Sequence, residues 1–187
     1  FVRACNSNLC PAWAVLWMLL MVAVPNVHAA TDAKAARYYE DALVRYEKKD
    51  SAGAIIQLKN ALQIDKNMLP VHVLLGKALL DSGDALAAET AFTEALRLGV
   101  SRDEVVVPLA KAVVAQAKQQ QIFEQPRFAE TGLPARTCFQ LLLVKAGAAT
   151  DVGDGKAALK AVEDARSIDA RSVDSWLAEV PIRSRAG

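Results

Sequence analysis

A spacing of 34 residues runs through the middle of this chain. Ala54-x3-Leu58-x2-Ala61-Leu62 recurs as Ala88-x3-Phe92-x2-Ala95-Leu96, and 88 − 54, 92 − 58 and 95 − 61 all equal 34. Small, large and small residues at i, i+4 and i+7 share one face of a helix. A unit of this size cannot bury such a face alone, so its copies must stack, and each copy has to be read as a module.

Ala33 to Glu47 is rich in Ala, Leu, Tyr and charged residues, without Gly or Pro, and reads as a helix. Lys48-Lys49-Asp50-Ser51 supplies a turn, and Ala52 to Ile64 returns with Ala54, Ile55, Leu58, Ala61 and Leu62 on a buried face. Helices joined so tightly lie antiparallel. The second copy runs from Val71 to Ser82, turns at Gly83-Asp84 and returns from Ala85 to Leu98. Gly83 permits the positive φ that ends the first helix, and Asp84 can cap the second. Small residues at Gly76 and Ala88 let the pair approach, while Phe92 fills the gap between neighbouring repeats. Leu75-Gly76 and Ala88-x3-Phe92 match the signature of the tetratricopeptide (TPR) repeat, so the expected fold is an all-α TPR solenoid of antiparallel helix pairs.

The register carries on through Val105 to Ala117, with Val106, Leu109, Ala110 and Val113 each 34 beyond His72, Leu75, Gly76 and Leu79. It then degrades. Ile122 falls where Ala88 predicts a small residue, and Pro126 falls where Phe92 predicts a filler, so the returning helix should stop by Gln125. Gly153-Asp154 repeats the turn, and Ala158, Val162 and Ala165 stand for Ala88, Phe92 and Ala95. Since 158 − 88 is 70, the third unit holds a two-residue insertion. Trp176, 34 beyond Leu142, marks the start of a fifth unit. Pro181 and the tail from Ile182 to Gly187 do not continue the pattern. The expected organisation is therefore a signal peptide at 1–29, three repeats at 33–125 with the third irregular, a connection at 126–138, a fourth repeat at 139–170 and the truncated start of a fifth at 171–187.

The N-terminal assignment rests on Ala12 to Val24, an uncharged apolar run preceded by Arg3 and followed by Val27-His28-Ala29. That is the layout of a secretory signal peptide cleaved after Ala29. A retained anchor is the alternative, but a spanning helix needs about 20 residues. Cys5 and Cys10 precede the run, and Ala30 stands where a lipoprotein would carry Cys. The chain begins at Phe1 and has no Met before Met18, so a fragment or a mis-set start is expected. Removing Arg3 with the signal leaves 22 − 1 = 21 basic residues against 21 acidic ones, without the basic footprint of a nucleic-acid binder. Cys138 is then the sole cysteine and should be a small buried apolar residue.

A family resemblance lies in Tyr38-Tyr39-Glu40-Asp41-Ala42-Leu43, in Gly53-Ala54-Ile55-Ile56-Gln57-Leu58-Lys59-Asn60-Ala61-Leu62-Gln63, in His72-Val73-Leu74-Leu75-Gly76-Lys77-Ala78-Leu79-Leu80 and in Glu104-Val105-Val106-Val107-Pro108-Leu109-Ala110. From about Ala33 to Lys118 the chain resembles the TPR-repeat protein of the exosortase (PEP-CTERM) system. The resemblance implies an exported protein of the Gram-negative envelope, in the periplasm or at the outer-membrane periphery, associated with exopolysaccharide production and protein sorting. A general periplasmic TPR adaptor in polysaccharide secretion or complex assembly is the alternative. Ala30 and Lys66 depart from the family, which often has a lipidated Cys and a repeat-closing Pro at those places.

No residue pattern calls for catalysis, a cofactor or a metal. Gly153-Asp154-Gly155-Lys156-Ala157-Ala158 fits Gly-x-Gly-x-x-Ala, but the strand that a pyrophosphate cradle requires is missing before it. His72 has no Cys or second His beside it for zinc, and Glu40 and Asp41, adjacent on a helix, point to different faces. The first helices of TPR units line a concave surface, here Tyr39, Leu43, Tyr46, Val73, Lys77, Leu80, Val107, Lys111 and Val114. Lys77 and Lys111 are 34 apart and should stack on one side of the groove. Ammonium groups beside apolar and aromatic side chains suit an extended peptide with an acidic group or a terminal carboxylate; two solvated lysines are the plain alternative. Expected partners are proteins or peptides of the envelope, with membrane contact only through the signal segment or a separate anchor.

Overall fold

The computed structural model describes residues 27–186. It is all helical among those residues: α1 (Val27–Glu47), α2 (Ser51–Ile64), α3 (Leu69–Asp81), α4 (Ala85–Arg97), α5 (Arg102–Ala115), α6 (Gln119–Glu124), a 3-10 turn (Pro126–Phe128), α7 (Ala135–Asp151), α8 (Gly155–Ile168) and α9 (Val173–Ala186). The signal run Ala12–Val24 lies outside the described residues, and α1 already begins at Val27, so it passes through the expected junction at Ala29. None of the described helices is long and apolar enough to cross a membrane.

Successive helices pack as antiparallel pairs, α1 with α2, α3 with α4 and α7 with α8, and the pairs stack through α2–α3 and α4–α5. Ala54, Leu58, Ala61, Ala88, Phe92, Ala95, Ala158 and Ala165 are fully buried, and Val162 is 1% exposed. The close approach has a direct measure at Gly76, where an added Cβ would stand 2.5 Å from Cε1 of Phe92. Any side chain there has to displace the ring.

The turn inside each repeat uses one backbone position with positive φ. Lys49 (65°), Gly83 (88°), Ala117 (58°) and Gly153 (80°) occupy it, at intervals of 34, 34 and 36. The next residue caps the second helix in three of the four turns: Asp50 accepts from the Gly53 amide at 2.8 Å, Asp84 from Ala87 at 3.1 Å and Asp154 from Ala157 at 3.0 Å. In the third turn that residue is Lys118, which has no side-chain cap.

Two segments differ from the reading of the sequence. The connection expected at 126–138 is shorter, because α7 starts at Ala135, directly after Pro134 at its N-cap. Within it the 3-10 turn drives Phe128 to 0% exposure in the same core cluster as Phe92. Phe128 is the filler sought at 126, displaced by the two-residue insertion, since 128 − 92 is 36. The C-terminal tail also stays helical through Pro181, and Ile182, 3% exposed, packs against Ala146, Ala149 and Val162. Pro181 itself is exposed, with its ring on the solvent side of the helix. Ile182 falls 34 after Ala148 and so continues the repeat after all.

Candidate functional site: the groove along the first helices

The first helix of each repeat contributes to one surface because a 34-residue register returns each position to the same face. On α1, Tyr39, Leu43 and Tyr46 are half-buried against the core cluster. On α3, Val73 is 4% exposed, with Lys77 and Leu80 half-buried. On α5, Val107 is 8% exposed, Lys111 is exposed and Val114 is half-buried. Among the described residues neither Lys77 nor Lys111 takes part in an ion pair.

The surface deepens at the junction of repeats three to five. Val107 and Lys111 from α5, Gln140, Leu143 and Val144 from α7, and Asp174 from α9 enclose a cleft of about 330 Å³. Its floor is aliphatic and its rim carries an ammonium group, a carboxamide and a carboxylate. The α7 and α9 residues were missed because the register was carried along the first helices only as far as α5. The signal was present: 143 − 107 and 140 − 104 are 36, the shift set by the insertion, and 174 − 140 is 34.

Toward α1 the groove has a different character. The Tyr46 hydroxyl donates to Asp81 Oδ2 at 2.7 Å, tying α1 to α3. Burial, then that hydrogen bond and the Asp81 charge, push the Tyr46 hydroxyl up to about 12, so it remains a donor throughout the physiological range. Burial likewise raises Tyr39, helped by the negative charge of Glu104 at the start of α5. The groove is therefore mixed in sign, with Lys77 and Lys111 interleaved with Asp81, Glu104 and Asp174, and it is less basic than the two stacked lysines alone imply.

The other sequence candidates take structural places. His72 is 8% exposed, and its Nε2 lies 2.8 Å from the Lys66 carbonyl. The Gly153–Ala158 segment forms the turn and cap of α8, following helix α7. Among the described residues no three His, Cys, Asp or Glu side chains converge as a metal site would require. Cys138 is half-buried, less than expected, and burial, with Glu130 nearby, pushes its thiol up, away from the reactive thiolate.

No protein-family model matches this chain, and no curated protein does. Among solved structures it is similar to the crystal structure of the MamA protein, a TPR-type helical protein, with a TM-score of 0.63 and 19% identity over 82% of this chain and 86% of that one. At that identity the likeness speaks for the fold, a TPR-type helical array.

Proposed function

We propose that this chain is a non-catalytic scaffold that holds an extended segment of a partner protein in the groove along its first helices. The observation that carries this reading is the 330 Å³ cleft, where an aliphatic floor from Val107, Leu143 and Val144 is flanked by Lys111 on one side and Asp174 on the other. An unpaired ammonium group at the edge of an apolar trough favours a side chain or terminus bearing a carboxylate, and Asp174 favours a donor a few residues along the same peptide. The long aliphatic stems of lysines let them reach over the trough while keeping their charge in water. In this reading the partner is an envelope protein, and the process is exopolysaccharide production or exosortase-linked sorting; both follow from the sequence resemblance.

A panel of labelled ten-residue peptides with free or amidated C-termini tests the groove. Binders should carry an acidic residue or a free carboxylate, and the Lys77→Glu, Lys111→Glu double variant should lose about tenfold or more in affinity with its helical circular dichroism intact. Equal capture by the double variant removes the groove assignment. The envelope process is tested separately, by whether deleting the gene in its native host changes exopolysaccharide output or the anchoring of sorted proteins.

A further inference from the structure

In each repeat one position of the first helix faces the filler of the second. The pairs are Ala42 with Leu58, Gly76 with Phe92 and Ala146 with Val162, related by the 34-residue period and the two-residue insertion. Each pair shares a buried environment: Ala42 and Leu58 are in one core cluster, Ala146 and Val162 in another, and Gly76 meets the Phe92 ring. The corresponding residue of α9 is Val180, at 146 + 34. It is 63% exposed, and Val173, Trp176 and Leu177 beside it are 66%, 58% and 62% exposed. These four residues, spaced i, i+3, i+4 and i+7, form an apolar stripe on α9 that no described residue covers.

The stripe is anchored from behind. The Arg166 guanidinium stacks 3.8 Å from the Trp176 ring centroid and also binds Glu179, which Arg183 holds from its other side. On the face of α9 that meets the preceding repeat, Ser175, Glu179 and Ile182 are all buried. The exposed stripe is thus the continuation of the interface between first and second helices that repeats along the chain, presented on a fixed helix.

We propose that this stripe docks one amphipathic helix of a partner protein, a helix of the second-helix type with alanine at the filler position: Ala-x3-Ala-x2-Ala. The size of the filler follows from packing. Across the repeats the pair volumes compensate, glycine facing Phe92 and alanine facing Leu58 or Val162, so valine at 180, beside the bulk of Trp176, leaves room for a smaller filler still. A second copy of this chain is a poor occupant. Its α2, α4 and α8 are already committed to their own first helices through buried alanines, and α9 against α9 would set large side chains against large ones.

Fluorescein-labelled peptides spanning Asp154 to Asp169 supply the probe, in the native sequence and with Val162→Ala or Val162→Phe, read by anisotropy against the full chain. The Val162→Ala peptide should bind best and the Val162→Phe peptide about tenfold or more weaker, the scale of overfilling a pocket by several carbons. Val180→Ala in the protein should shift the preference toward the native peptide. Leu177→Asp, a change at an exposed site, should abolish binding without altering helicity, which separates docking on α9 from displacement of the chain's own α8. Absence of binding by all three peptides, equal binding of the alanine-substituted and phenylalanine-substituted peptides, or binding that survives Leu177→Asp would overturn the proposal. So would sedimentation showing a dimer that Leu177→Asp breaks, since the stripe would then belong to a second copy.

Discussion

The second and third repeats solve one packing problem with different parts. In the second, Gly83 takes the positive-φ turn, Asp84 caps α4, Ala88 gives close approach and Phe92 fills the junction from a 13-residue helix. In the third, the same register positions hold Ala117, Lys118, Ile122 and Pro126, and α6 is only six residues long. Every local signal for a second helix is lost, yet Ile122 and Phe128 are fully buried. The lesson is that a repeat array requires the volume at the junction more strictly than the helix that normally delivers it.

Glu89 on α4 explains how the irregular segment is held. Its carboxylate accepts from Arg127 Nη2 at 2.9 Å, Gln116 Nε2 at 2.9 Å and Lys118 Nζ at 3.3 Å, three donors from the altered stretch. Lys118, which cannot cap α6, instead binds the preceding repeat. The Arg127 guanidinium lies 4.9 Å from the centroid of the Phe128 ring, so the ion pair and the filler belong to one assembly.

The sharpest way to break the comparison is at the two phenylalanines. If Phe128 replaces Phe92 in function, Phe128→Ala and Phe92→Ala should each cost about 3–5 kcal/mol in urea unfolding followed by circular dichroism. A loss below about 1 kcal/mol for Phe128→Ala alone would show that the 3-10 turn only covers the core rather than filling it.

Glu89→Gln comes next, at about 2 kcal/mol near neutral pH, because charge-assisted bonds to a largely buried carboxylate are among the stronger ones. Burial by itself would raise the Glu89 carboxyl, but hydrogen bonds from Arg127, Gln116 and Lys118, with the Lys118 charge, bring it below the usual carboxylate value. A depressed folded pKa gives stability that is fully present above the unfolded pKa and lost as pH falls through the folded one. The gap between the native chain and Glu89→Gln should therefore narrow on acidification below about pH 4, as read in parallel urea curves. A gap independent of pH would mean that the carboxamide loses something other than charge.

Caps give a smaller contrast. Asp84→Ala should cost about 1 kcal/mol through the lost bond to the Ala87 amide. Lys118→Asp installs the missing cap in the third repeat but removes a cation from Glu89 and sets a second carboxylate near it, so it should yield no gain. A clear increase in the unfolding midpoint would show that Lys118 contributes little to the network.

Much of this architecture was legible because the repeat writes the same residue types at the same spacing: Ala54 and Ala88, Leu58 and Phe92, Gly83 and Gly153 each announce a helix face or a turn. What escaped was carried by register rather than residue type. Phe128 could be found only by moving the two-residue insertion ahead of it, before Pro126, and the same shift brings Gln140, Leu143 and Asp174 into the groove with Val107 and Lys111. Pro181 marked an end to the pattern only because a proline was weighed without the burial of Ile182 next to it. The Glu89 network left no motif, since its members come from sites 27 to 38 residues apart whose meeting depends on the path of the irregular segment.

The turn itself offers the finest test of the comparison. Gly83 and Gly153 adopt positive φ without a steric cost, whereas Ala117 at 58° and Lys49 at 65° hold a Cβ in the same left-handed region. Nothing else about the third turn demands alanine: Ala117 donates its amide to the Val114 carbonyl at 2.9 Å, as Gly83 does to Leu80 at 3.1 Å. Ala117→Gly removes the left-handed strain but gives the unfolded chain more freedom, effects of about 1–2 and 0.5–1 kcal/mol, so the net change should be a gain of about 0.5–1 kcal/mol. The same substitution reasoning applied to Gly83→Ala predicts a loss of similar size. Opposite signs at two positions 34 residues apart would show that the third repeat keeps the backbone of the second while giving up the residue that suits it. A loss at both would mean that the third turn has found its own reason for alanine, and that the two repeats share less than their φ angles imply.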